Sequence, residues 1–260
     1  MNILRNNTDH KKLKNSWALL SFLTLSSYIA LVSALVAFAE INTLFLFQPP
    51  PQEEQPESTE GAASRRNQVC PQDFLITQPQ KASDNRPNFT AVVPESNYGL
   101  TVTNRPSFWV YLPKTSAQKA ILSIKEEGIK SHWQQPVDLT EKEGILRIQL
   151  SENAPALEIG KNYQWAVILV CGNRPNPNDP VVAAWIRRID QSIITQDVAT
   201  VSAELEKAAI YAQKGIWYDA LDILIQAKKP SLHNWQDIWV QYLQSGGLEK
   251  LAYEPIIIRQ

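Results

Sequence analysis

The chain has 260 residues, 44% hydrophobic and 20% charged, with two cysteines and a net charge of −1. This is ordinary globular composition, long enough for one large or two small packed domains. Residues 1–39 carry a net +3, leaving 21 basic and 25 acidic residues after them, a mild acidity that argues against a nucleic-acid or anionic-lipid surface.

The amino terminus is the exception to that composition. A basic segment with Arg5, Lys11, Lys12 and Lys14 leads into WALLSFLTLSSYIALVSALVAF, residues 17–38, without a charge. Ala37-Phe38-Ala39 offers the small residues a signal peptidase needs, which favours a signal peptide cut before Glu40. The alternative is an uncleaved anchor, since 22 uncharged residues are enough for a helix to span a bilayer of about 30 Å. Both readings deliver the rest of the chain outside the cytoplasm, to the periplasm or cell surface. They leave the membrane in contact with the protein only through residues 17–38, and only if these are retained. Export also gives meaning to Cys70 and Cys171: an even count in an oxidising compartment predicts a disulfide, with two free thiols as the rival reading.

Residues 40–69 include FQPPPQEEQPESTEGAASRRNQV and read as a Pro/Glu-rich linker, because they hold too little apolar surface to offset the entropy of ordering. Arg65-Arg66 reads as a solvated charge pair.

From Cys70 to Asp190 the pattern is one of short strands punctuated by Pro, Gly and Asn, expected near 89–93, 99–103, 107–112, 119–126, 144–150, 162–171 and 181–189, with a weaker one near 131–138. About seven such strands indicate an antiparallel, Ig-like β-sandwich over residues 70–190. In GILRIQL, Leu146, Ile148 and Leu150 alternate with Arg147 and Gln149, as in a strand with one wet face. In RPSFWVYLP, by contrast, Phe108, Val110 and Leu112 oppose Trp109 and Tyr111, so both faces are apolar and both need cover. NYQWAVILVC and VVAAWIRRI share that character. Between them, GNRPNPNDP is turn chemistry, and its one carboxylate falls short of a calcium site.

Residues 191–260 change to a helical period. Val198, Val201, Leu205, Ala208, Ala209 and Ala212 form one stripe ending at Gly215; Trp217, Leu221, Leu224 and Ile225 form a second that stops at Pro230; Trp235, Ile238, Trp239 and Leu243 form a third that breaks at Gly246-Gly247. The fold class is therefore mainly β, a sandwich followed by a short C-terminal α-helical hairpin. YAQKGIWYDAL looks like one tetratricopeptide unit, but that fold needs about three. The simplest arrangement docks the helices on the doubly apolar sheet, with Trp109, Tyr111, Trp165, Trp185 and Trp217 as the candidate interaction surface. The alternative parity puts these aromatics between the two sheets, and the sequence leaves that choice open.

No catalytic, cofactor-binding or metal-binding residue stands out, and no cofactor is implied. His132 and His233 are far apart, and no His/Cys cluster has zinc spacing. There is no G-x-S-x-G elbow, phosphate loop or dinucleotide fingerprint. Glu126-Glu127 and Glu141 with Glu143 read as solvated faces rather than a glycosidase pair. The aromatics suit a core better than a sugar platform, because they sit inside aliphatic strands.

The leader followed by FQPPP and GAASRRNQVC, then FTAVVPESNYGLTVTNRPSFWVYLP, LEIGKNYQWAVILVC, VVAAWIRRI and GIWYDALDIL, make the chain resemble the exported cyanobacterial proteins grouped as domain of unknown function 928. The resemblance covers residue 47 to the C-terminus. In place of that family's glycine-rich run before the first cysteine stands Gly61-Ala62-Ala63-Ser64. It implies an exported protein with a sandwich-like part and a helical tail, with no assigned activity and no catalytic residues to carry over. The expectation is thus a non-catalytic binding or structural module of the cell envelope, whose partner is an envelope protein or a polysaccharide. A carbohydrate- or cell-wall-binding module is the alternative, and an unrecognised hydrolase comes third.

Overall fold

The computed structural model describes residues 45–51, 55–56, 70–73, 87–140, 143–199, 204–228 and 234–257. The uncharged stretch 17–38, Arg65-Arg66, Glu141, Val201, Pro230 and His233 lie outside them. The chain divides into two compact units, Met1–Leu44 and Phe45–Gln260, and the second carries the fold. Among the described residues no helix is long and apolar enough to cross a membrane.

The architecture is mainly β. The strands are β1 (Thr90–Ala91), β2 (Tyr98–Thr101), β3 (Ser107–Leu112), β4 (Lys119–Glu126), β5 (His132–Asp138), β6 (Gly144–Gln149), β7 (Asn162–Val170), β8 (Val181–Arg188) and β9 (Ile256–Ile257). They form two sheets, ordered β1-β3-β6-β9 and β2-β8-β7-β4-β5. The antiparallel framework is joined by two parallel edge pairings, β2 with β8 and β6 with β9. The helices are α1 (Thr195–Ala199), α2 (Glu204–Gln213), α3 (Trp217–Gln226) and α4 (Trp235–Ser245). Gly215, at φ +74°, supplies the left-handed residue that ends α2 and turns the chain into α3.

Register settles the parity of β3. Phe108 pairs with Ile148 and Val110 with Leu146 on β6, so these four share a face. Phe108 meets Trp165 of β7 with ring centroids 5.0 Å apart, which makes that face the interior between the sheets. Trp109, paired with Arg147, and Ser107, paired with Gln149, therefore point to the other side of the sheet. That side is covered as well, because every residue of β3 is buried.

The cover comes from α3, which packs along β2 and β3. A Cβ on Gly99 of β2 would lie 2.9 Å from Trp217 Cβ, so only glycine lets the helix approach so closely. The rest of the helical layer is tied through Trp217, which stacks on Tyr242 of α4 at 4.5 Å and meets Phe47 edge-on at 4.9 Å. Phe45–Pro51, within the stretch expected as linker, packs on this layer: Gln48 N–H donates to Ala212 O at 3.0 Å and Phe47 N–H to Ser245 Oγ at 2.9 Å. The helices and the sandwich belong to one unit, and β9 returns the chain to pair with β6.

Candidate functional site

The residues singled out from sequence are used inside the molecule. Trp109, Tyr111, Trp165 and Trp217 are buried, and Trp185 is half-buried. Trp109 Nε1–H donates to Asp222 Oδ1 of α3 at 3.0 Å, and Trp217 Nε1–H donates to Val92 O at 2.9 Å. Trp165 lies between the sheets and donates to Tyr218 Oη at 2.7 Å, while Tyr218 donates onward to Trp185 O at 3.0 Å. Tyr111 donates to Glu143 at 3.3 Å, and burial, followed by the charges of Glu254 and Glu143, pushes its phenol well up. Cys70 and Cys171 form a disulfide.

Where α3 meets β3 and β6, a polar cavity of about 170 Å³ is lined by Thr101, Thr103, Arg105, Ser107, Arg147, Gln149, Asp219 and Asp222, among others. Asp222 is the hub: it accepts from Trp109, from Ser107 Oγ at 3.1 Å and from Arg147 Nη2 at 2.9 Å. Asp219 accepts from Thr103 Oγ1 at 2.6 Å and Val102 N–H at 3.2 Å. Burial raises its carboxyl pKa against the pull of these bonds and of one from Thr101. Two carboxylates in unlike surroundings are an acid/base pattern, yet here their oxygens are engaged by the chain's own donors. The arrangement is a clasp that fixes α3 to the sandwich. Sequence reasoning missed both acids because they lie opposite the stripe of Trp217, Leu221, Leu224 and Ile225. The first turns of α3 are in fact buried nearly all round, from Trp217 to Leu221.

A second cavity, of about 270 Å³, opens where the start of β5 faces the loop 150–158. Its lining includes the apolar Ile124, Leu150, Ala154 and Leu157, the rings of Trp133 and Tyr163, and the exposed or half-exposed Glu126, Ile129, His132 and Glu158. Trp133 shares a face with its β4 partner Ile124 and so points inward. Its indole N–H is buried without an acceptor, a desolvated donor of the kind folded proteins rarely leave unpaired. Lys161 Nζ bridges Glu126 at 3.0 Å and Glu158 at 2.9 Å. These two hydrogen bonds, Glu158 first, push the lysine up and hold it charged. Tyr163 Oη accepts from Glu158 N–H at 3.0 Å. The cavity can take an apolar group. The sequence signal for it was faint: a tryptophan on an edge strand that otherwise alternates with polar residues. Among the described residues no group of acidic, His or Cys side chains is placed to hold a metal.

No curated protein and no solved structure matches the chain. A family model, described as Domain of Unknown Function (DUF928), matches residues 60–256. That span takes in the disulfide, both sheets, the clasp and the Trp133 cavity, well over half of the sequence, and so the chain belongs to the DUF928 family.

Proposed function

We propose that this protein is an exported, non-catalytic binding module of the cell envelope, and that it binds through the cavity beside β5. The observation that carries the reading is an open, mostly apolar pocket lined by Ile124, Trp133, Leu150, Ala154, Leu157 and Tyr163 with Glu126 and Glu158 beside them. A pocket of this kind with a few convergent polar groups is the default binding site of a folded domain. The Cys70–Cys171 disulfide suits an oxidising compartment, in keeping with the basic and uncharged leader. The engagement of Asp219 and Asp222 in the clasp supports a non-catalytic role.

A polysaccharide ligand is the second reading, favoured by Trp133 and Tyr163 lining one pocket near Glu126. The test is the Trp133 indole N–H resonance of the ¹⁵N-labelled full chain, assigned by its loss in Trp133→Phe. It is followed during titration with defined peptides and with oligosaccharides. Selective, saturable movement with either class supports a binding module. A resonance that stays still throughout sinks it.

A further inference from the structure

The pocket has a definite chemistry, and it discriminates between ligand classes. At about 270 Å³ it lies just under the ~300–1,000 Å³ range of drug-sized sites, so it suits one large side chain rather than an extended ligand. A polyol entering it would exchange water for the walls of Ile124, Leu150, Ala154 and Leu157, which return no hydrogen bonds. The Trp133 indole N–H has no accessible surface of its own, so recognition rests on the apolar walls and on the charged groups beside them. Around the mouth the apolar surface continues: Ile129 is 45% exposed, and Ile159, next to Glu158, is 52% exposed. The rim charge is unbalanced, because Glu126 and Glu158 share the one Lys161, leaving a residual negative charge for a partner's cation. β5 is the free edge of its sheet as described, but Pro136 has no N–H to give to a ladder. Side-chain insertion therefore fits the site better than strand addition.

We infer that the cavity receives one large apolar side chain of a partner polypeptide, whose neighbouring lysine or arginine lies against Glu126 and Glu158. This rests on the cavity being the binding site of the module.

The test uses the full, oxidised chain and four probes: a five-residue capped peptide with a central phenylalanine flanked by lysines, the same peptide with a central alanine, the same peptide with glutamates in place of the lysines, and a chitin tetrasaccharide. The readout is the Trp133 indole resonance. The phenylalanine–lysine peptide is expected to move it saturably, with at least ~10-fold weaker binding for the alanine and glutamate peptides, which corresponds to ~1.4 kcal/mol. Glu126→Gln combined with Glu158→Gln should weaken that peptide and flatten its salt dependence. Ala156→Trp, on the exposed rim, should block it with an unchanged melting temperature. Equal binding of the three peptides, or binding that survives Ala156→Trp, overturns the inference. Movement with the tetrasaccharide but not the peptides overturns it and leaves the binding module standing. Silence with all four overturns both.

Discussion

Tyr218 joins three parts of the molecule with one hydroxyl. It accepts from Trp165 between the sheets, donates to the backbone of Trp185 on β8, and belongs to the helix that covers β3. Burial pushes its phenol far up, which favours the protonated form that donates. Tyr218→Phe strands a buried indole N–H and a carbonyl, and should cost ~1–3 kcal/mol in urea unfolding; a loss below a few tenths contradicts the arrangement. Asp219 contributes in the opposite sense to most carboxylates, because burial raises its folded pKa above the unfolded one, which is ~3.9. Between those two values the folded state binds more protons, so stability falls as pH rises through the window. The favourable contribution is fully present below ~3.9 and gone above the folded value. Asp219→Asn should flatten the dependence of unfolding free energy on pH in that window, and an unchanged slope would show that another group titrates there.

Helix α3 is the element on which the rest turns, since it seals the outer face of β3 and carries both acids of the clasp. Gly99→Ala sets one Cβ 2.9 Å from another, on Trp217, and neither atom has a rotamer to escape into. Overpacking of ~1–3 kcal/mol is expected, read as a lower urea midpoint with an unchanged slope. At this scale much was legible beforehand. Alternation located the strands, and the apolar residues on both faces of FWVYL, Phe108–Leu112, foretold a second cover. Parity was not legible, because Phe108 and Trp109 are equally apolar; the choice was made by the register with β6 and the contact with Trp165. β9 is two residues long, too short for any period to reveal. Trp133 is not legible as a pocket residue, because HWQQPVD offers a single aromatic among polar residues and no period that says which side it faces.

For the whole molecule, the sheets, helices and returning C-terminus form one unit. Removing residues 191–260 takes away α3 and β9 together and bares Trp109 and Tyr111. The truncated protein is expected to bind the dye ANS and self-associate; a monodisperse fragment without dye binding would show that something else covers β3. Opening the Cys70–Cys171 bond, whose ends are separated by 101 positions in the sequence, should lower stability by up to ~4.7 kcal/mol in the chain-entropy model, measured on the double serine variant. The cavity beside β5 was hidden at this scale because its walls come from separated stretches around residues 124–133, 150–158 and 163. No local motif gathers them; only the pairing of β4 with β5 and the course of the loop after β6 do.

The contacts of Phe47 and Gln48 give the fold a mechanical direction. Their hydrogen bonds to Ser245 and Ala212 grip the helical layer, and they precede Cys70 in the chain. Tension arriving from the amino-terminal side, as in a protein tethered there, is thus borne first by the helices and then by the covalent clip, and the strands that frame the cavity lie behind both.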